Sequence, residues 1–361
     1  MRAMVVKEFR QLLRDRRTLG LLVGLPILLL VVFGYAANFD VSKIPTVVVG
    51  PRASEVAAQL PAPFDVTEID PRGNRATVES RLQDGTAVVG IVSGESPMPA
   101  LMDGTQLFSV QAAKEAFAQV AQSGVANGIE PPGIAPDVLY NPDLKTSWIM
   151  IPGLTGLILL FVGTLITSLG IVRERQAGTI EQLAVMPFRP WDVIFGKILP
   201  YLLLASLDLI AIVLVGMGLF GVPFVGSVAT FGIGALLFLL VTLGMGVLVS
   251  TVSQNQGQAI QLAIMFVVPQ ILLSGLIFPV DAMAAGVRWI AYVLPLSYFV
   301  EISRGVMLKA EPISALWIPL TVLLFMAVVV LGLAILRFRR DLAPSTGHHP
   351  AEEAELQAVA R

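Results

Sequence analysis

The stretch WIMIPGLTGLILLFVGTLITSLGIVRERQAGTIEQLAVMPFRPWDVIFGKILPY, residues 148–201, begins with an apolar run that carries no charge until Arg173. A bilayer core needs about 20 consecutive apolar residues at ~1.5 Å rise each, and 148–172 is long enough to cross one. From Arg173 the sequence becomes charged and is punctuated by Gly178, Pro187 and Pro190, before a second apolar run opens at Ile198. A membrane span, a polar loop and the next span is the direct reading.

The same pattern recurs along the 361-residue chain, giving six candidate spans at 19–38, 148–172, 198–220, 228–250, 259–280 and 315–336. With 55% hydrophobic and 14% charged residues, an ordinary soluble domain is excluded. The fold class is a polytopic α-helical membrane protein with six transmembrane helices. An even number of spans puts both termini on one side. Arg2, Lys7, Arg10, Arg14, Arg16 and Arg17 precede the first span; Arg173, Arg175, Arg189 and Lys197 follow the second; Arg337, Arg339 and Arg340 follow the sixth. By the positive-inside rule these flanks are cytoplasmic, so the topology is N-in and C-in. A cleaved signal peptide is the competing reading of residues 1–38. The apolar run there exceeds the about 7–15 residues of a signal core, which favours an uncleaved span.

Residues 1–18 place Phe9, with Val5, Leu12 and Leu13, along one side of a helix, and Lys7, Arg10 and Arg14 along another. They read either as an amphipathic helix on the inner membrane surface or as a topology signal alone. Residues 39–147 lie outside the membrane on the far side and change in pattern. TVVVG and AVVGIV read as buried strands and FDVTEI alternates; ASEVAAQL, NRATVESRLQ and QLFSVQAAKEAFAQVAQ have helical spacing. A compact extracytoplasmic α/β domain of order β-α-β-α-β-β-α is expected, with EPPGIAP (130–136) as an exposed linker back toward the membrane. The five-helix remainder runs over 148–336, with a cytoplasmic loop at 173–197 and an outer segment at 281–312. The tail 337–361 is polar.

In the loop, Arg173 and Arg175 can reach lipid phosphates while Glu174 and Glu181 stay exposed. Thr179 suits the N-cap of a short helix, with Glu181 in its first turn against the helix dipole. Such a helix, held between two spans, suits a docked soluble subunit; a loop satisfied by lipid and water is the plainer alternative. RERQAGTIEQLAVMPFRPWDVIFGKILPY (173–201) closely resembles the cytoplasmic loop of ABC type-2 exporter permeases. The resemblance extends to LVSTVSQNQGQAIQLAIMFVVPQILLSGLIFPVDAM (248–283), WIAYVLPLSYFVEISRGVML (289–308) and MDGTQ (102–106). It implies a coupling helix seated on a nucleotide-binding subunit, with contacts at Glu174, Arg175, Gly178, Thr179, Glu181 and Pro187. It also implies re-entrant helices that cap an outer cavity, carrying Pro295, Glu301 and Arg304. Glu301 and Arg304, spaced i to i+3, could pair on the helix surface, and Trp289, Tyr292 and Tyr298 suit an interfacial aromatic belt.

The chain lacks a G-x-x-x-x-G-K-[ST] phosphate loop: its single Gly-Lys pair, Gly196–Lys197, has Trp191 where the first glycine belongs. No cofactor is therefore expected on this chain, and the resemblance places ATP and Mg²⁺ on a partner ATPase. It also implies a second permease copy or paralogue and a bacterial or archaeal cell membrane, with an amphipathic drug, antibiotic or lipid moved outward. Two rivals are kept. An ion-coupled secondary transporter usually needs several intramembrane ionisable residues, and here only Asp208 lies deep in a span. A sensor or assembly protein would use the 39–147 domain. Asp208 is a substrate-path or a structural residue and should face protein or water. Gln261 and Gln270 place hydrogen-bonding groups in the fifth span. With no cysteine, and histidine only at His348 and His349 in the tail, thiolate metal sites and histidine catalysis within the spans are excluded. Nucleic-acid binding has no basic patch to rest on.

Overall fold

A computed structural model describes residues 41, 43–126, 133–178, 190–280 and 283–342. The expected interfacial helix at 1–18, including Lys7, Phe9, Arg10 and Arg14, and the expected span at 19–38 lie outside the described residues, as do Thr179, Glu181 and Pro187.

The first half of the described chain is an α/β unit: β1 (Ile44–Val49), α1 (Ala53–Gln59), β2 (Phe64–Asp70), α2 (Arg75–Gln83), β3 (Val89–Val92), β4 (Met98–Asp103), α3 (Leu107–Ala126) and β5 (Ile134–Leu139). The strands form one sheet in the order β2-β1-β3-β4-β5. All neighbours are parallel except β3 and β4, which are antiparallel. Central β1 and β3 are continuous apolar runs because both faces of the sheet are covered. Ile44, Val48 and Ile91 pack under Val110, Ala113 and Phe117 of α3. Val47, Val49 and Leu101 meet Val78 and Leu82 of α2 on the other face. Edge strand β2 alternates instead, and its Phe64 stacks on Phe117 at 4.6 Å between centroids. Asn74 closes the start of α2 with a capping box shared with Thr77.

The linker expected at 130–136 is corrected in part. Ile134–Leu139 is a fifth strand, paired with β4 along its whole length. Pro136 is tolerated because β5 is an edge strand. The chain returns to the helices through residues 140–145 instead. Tyr140 and Leu144 there hold φ of 65° and 50°, a region few side chains occupy without compensation. Asn141, fully buried, compensates: its Nδ2 donates to the carbonyls of Gly104 (3.4 Å) and Lys145 (3.2 Å), and its Oδ1 accepts from the Lys145 N–H at 2.9 Å.

The second half is helical: α4 (Thr146–Gln176), α5 (Pro190–Phe220), α6 (Val228–Val252), α7 (Gln256–Leu273), α8 (Ala285–Ala291), α9 (Pro295–Lys309) and α10 (Trp317–Leu342). Among the described residues five of these, α4, α5, α6, α7 and α10, are long and apolar enough to cross a membrane. The span expected at 259–280 is shorter than its hydropathy suggested, since α7 ends at Leu273. α6 is central and packs against α4, α10 and α9. Close approach depends on small residues, as membrane helices require: a Cβ on Gly246 would lie 2.7 Å from Thr167 Cβ and 2.8 Å from the Thr164 carbonyl oxygen. Thr164 Oγ1 donates across the same contact to the Thr242 carbonyl at 3.3 Å. α5 is peripheral, with Leu203, Leu207 and Leu214 each more than half exposed.

Candidate functional site at the two ends of the helix bundle

The last turn of α4 ends in a left-handed cap. The Ala177 N–H donates to the Arg173 carbonyl at 3.0 Å and the Gly178 N–H to that of Arg175 at 3.1 Å. Gly178 has φ +73° with open space around it, a left-handed position where glycine carries no Cβ penalty. The 179–189 segment starts and ends on helices that are tied to each other. Glu174 on α4 forms an ion pair with Lys197 on α5. Arg175 Nη1 donates to the carbonyls of Ser250 (2.9 Å) and Ser253 (3.2 Å) at the end of α6. Those carbonyls have no intrahelical donor, and a cation there opposes the helix dipole. Gln256 Nε2 at the start of α7 donates to Gln176 Oε1 at 3.1 Å, and Asn255 caps α7 by accepting from the Gln258 N–H at 2.9 Å. Four helices therefore converge on residues 174–176.

Arg175 holds protein carbonyls where the sequence suggests lipid phosphate. Glu174 keeps 42% of its side chain exposed while pairing with Lys197. Nothing in the sequence pattern singles out Ser250, Ser253 and Gln256, or Lys197 beyond its place among the cytoplasmic cations. The opposite charges of Glu174 and Lys197 at the two ends of the loop were the available signal. Gly196 and Lys197 lie within helix α5, so they form no phosphate-binding loop.

At the other end of the bundle, α7 holds α9. Gln270 is fully buried and its Oε1 accepts from the Leu296 N–H at 3.2 Å. Leu296 follows Pro295, the first residue of α9, so this bond serves one of the donors that a helix start leaves open. The i to i+3 pair expected between Glu301 and Arg304 does not form. Arg304 Nε donates to the Ile149 carbonyl at 3.0 Å, Nη1 to Gly275 at 3.2 Å and Nη2 to Leu276 at 3.1 Å. These carbonyls, near the start of α4 and past the end of α7, outcompete a carboxylate one turn away. Glu301 stays on the exposed side of α9. Trp289 and Tyr292 are more than half exposed nearby, and Tyr298 Oη donates to the Tyr292 carbonyl at 2.7 Å.

Asp208 lies on the exposed side of α5 beside Leu207, and Gln261 Oε1 is buried without a hydrogen-bond partner among the described residues. Among those residues no cluster of three or more His, Cys, Asp or Glu could hold a metal ion.

A family model described as ABC-2 family transporter protein matches residues 16–336. The chain is 32% identical over 369 aligned residues to "Probable multidrug ABC transporter permease YbhS" of Escherichia coli (strain K12), covering 94% of this chain and 97% of that protein. It is 28% identical over 363 residues to "Probable multidrug ABC transporter permease YbhR" of the same organism, covering 94% and 98%. Similarity reaches "ABC transporter G family member 20" of Dictyostelium discoideum, 26% identical over 205 residues, covering 56% of this chain and 28% of that protein.

Proposed function

The chain belongs to the ABC-2 family of transporter proteins, and on that premise we propose that it is the membrane-spanning subunit of an ATP-driven exporter. A separate ATPase subunit, carrying ATP and Mg²⁺, docks on the 173–197 loop, and an amphipathic drug, antibiotic or lipid is moved outward. Two copies of the chain, or the chain and a paralogue, form the transporter in a bacterial or archaeal cell membrane.

The observation that carries this reading is the convergence of α4, α5, α6 and α7 on Glu174, Arg175 and Gln176. A loop satisfied only by lipid would gain nothing from being tied to four helices. A loop that receives force needs such ties, because displacement of its base then moves most of the bundle together. Gln270 and Arg304 supply the matching ties at the far end, joining α7 and α4 to α9. Movement at the loop base is thus delivered to the helix that the resemblance assigns to the outer cap.

Purification of the full chain from its native host, in mild detergent, tests this. An ATP-binding-cassette subunit should co-elute in stoichiometric amount and hydrolyse ATP. Elution of the chain without any such subunit would refute the reading.

A further inference from the structure

We infer that Lys309 pins the α/β unit to α9, so that the unit and this helix move as one body. MDGTQ (102–106), which the helical bundle leaves unexplained, supplies the other half of the joint.

Lys309 Nζ lies 3.2 Å from Asp103 Oδ2 and 2.9 Å from Glu311 Oε1, with side-chain exposures of 6%, 2% and 10%. A lysine, a β-strand carboxylate and a loop carboxylate are thus enclosed together. Each acceptor is committed. Asp103 Oδ1 takes the Thr105 N–H at 3.0 Å and the Thr105 hydroxyl at 2.6 Å, leaving Oδ2 for Lys309. Gly104 must lack a side chain, since a Cβ there would lie 2.7 Å from the Leu139 carbonyl oxygen. Two further elements of the α/β unit grip the same helix end. Gln83 Nε2 of α2 donates to the carbonyls of Lys309 (3.2 Å) and Ala310 (3.3 Å). The Tyr140 ring, after β5, lies 5.9 Å from Lys309 Nζ.

The local backbone is shaped for this contact. Ala310 ends α9 at φ 52°, a left-handed cap where glycine is usual. The turn brings the Glu311 N–H to the Gly305 carbonyl at 3.0 Å and folds the Glu311 carboxylate back over Gly305, where any side chain would collide with it. A charge taken out of water is tolerated only when paired, and removing one partner of a buried pair is far more disruptive than losing a surface one. Burial works against the ammonium, but Asp103 and Glu311 outweigh it and hold the Lys309 pKa above the ordinary lysine value. The Lys309 ammonium therefore stays charged at physiological pH.

The connection has a consequence beyond the loop-driven reading above, and it does not depend on it: whatever displaces the α/β unit displaces α9. Because the chain has no cysteine, spin labels can be placed cleanly at Asp65→Cys on β2 and Ile313→Cys after α9, both exposed. Double electron–electron resonance on the full chain in nanodiscs, without any partner, should give one narrow distance peak. Lys309→Met should broaden it or add a second peak, and Lys309→Arg, which keeps a cation between Asp103 and Glu311, should retain the narrow one. An unaltered peak in Lys309→Met would overturn the inference. If that variant fails to accumulate, Asp103→Asn decides, since its Oδ1 still accepts from Thr105 while the ion pair to Lys309 is lost: a broadened peak supports the pin, and an unaltered one refutes it.

Discussion

Arg175 Nη1 donates at 2.9 Å to the backbone carbonyl of Ser250, 75 residues further along the chain, and so fastens the end of α4 to the end of α6. Both helices stop where the loop begins. The bond is directional and charge-assisted, and substitutions at Arg175 report on it directly.

Arg175→Met removes the donor from the Ser250 and Ser253 carbonyls. Hydrogen bonds to charged groups contribute roughly 1.5–3 kcal/mol. The melting temperature of the purified chain should fall by several degrees, and transport should fall more than ATP hydrolysis does. Arg175→Lys keeps the charge at the helix end but not the planar fork, and should lie between parent and Met variant in both assays.

The Glu174–Lys197 pair bridges the two ends of the loop. Glu174→Lys brings two cations together and should impair transport, whereas Glu174→Lys combined with Lys197→Glu should restore most of it. Single and double variants measured in inside-out vesicles separate pairing from the mere presence of charge. Equal impairment in the double variant would show that pairing is not what matters.

Gln270→Met leaves the Leu296 N–H at the start of α9 without an acceptor. Because Gln270 Nε2 is itself buried without a partner among the described residues, the substitution also removes one unsatisfied group. The net loss should therefore be modest, about 1 kcal/mol. Hydrogen–deuterium exchange should quicken in the first turn of α9 while the rest of the bundle stays protected.

Gly246→Ala drives a methyl toward the Thr164 carbonyl oxygen, 2.8 Å from the ideal Cβ. Backbone cannot retreat as a flexible side chain can, so α4 and α6 should separate at a cost of about 1–3 kcal/mol. Gly232 on the same helix has nothing within 4 Å of its Cβ position. Gly232→Ala is the matched control, and thermal unfolding should distinguish the two.

Much of this was legible in the sequence because it depends on local pattern. The uninterrupted apolar runs mark α4, α5, α6 and α10, and the alternation of FDVTEI marks a strand, which the sheet order then places at an edge. What was not legible depends on partners distant in sequence. Arg304 has a carboxylate three residues away, and spacing alone favours that pair. Only the fold reveals carbonyls of Ile149, Gly275 and Leu276 closer to hand. EPPGIAP (130–136) reads as a linker because of its prolines, yet from Ile134 the chain is a strand because β4 offers an unpaired edge. Lys309, an ordinary helix-ending lysine by sequence, is buried because Asp103 comes to it from the other half of the chain.

If the 173–197 loop passes the work of ATP hydrolysis to the helices, weakening it should uncouple transport from hydrolysis. The number of substrate molecules exported per ATP hydrolysed, in proteoliposomes containing the chain and its ATPase subunit, measures this for the parent and for Glu181→Lys. We predict that the reversal lowers this ratio at least about tenfold, equivalent to roughly 1.4 kcal/mol of lost coupling, while the chain remains folded. An unchanged ratio, with the ATPase subunit still bound, would show that the loop does not carry the coupling.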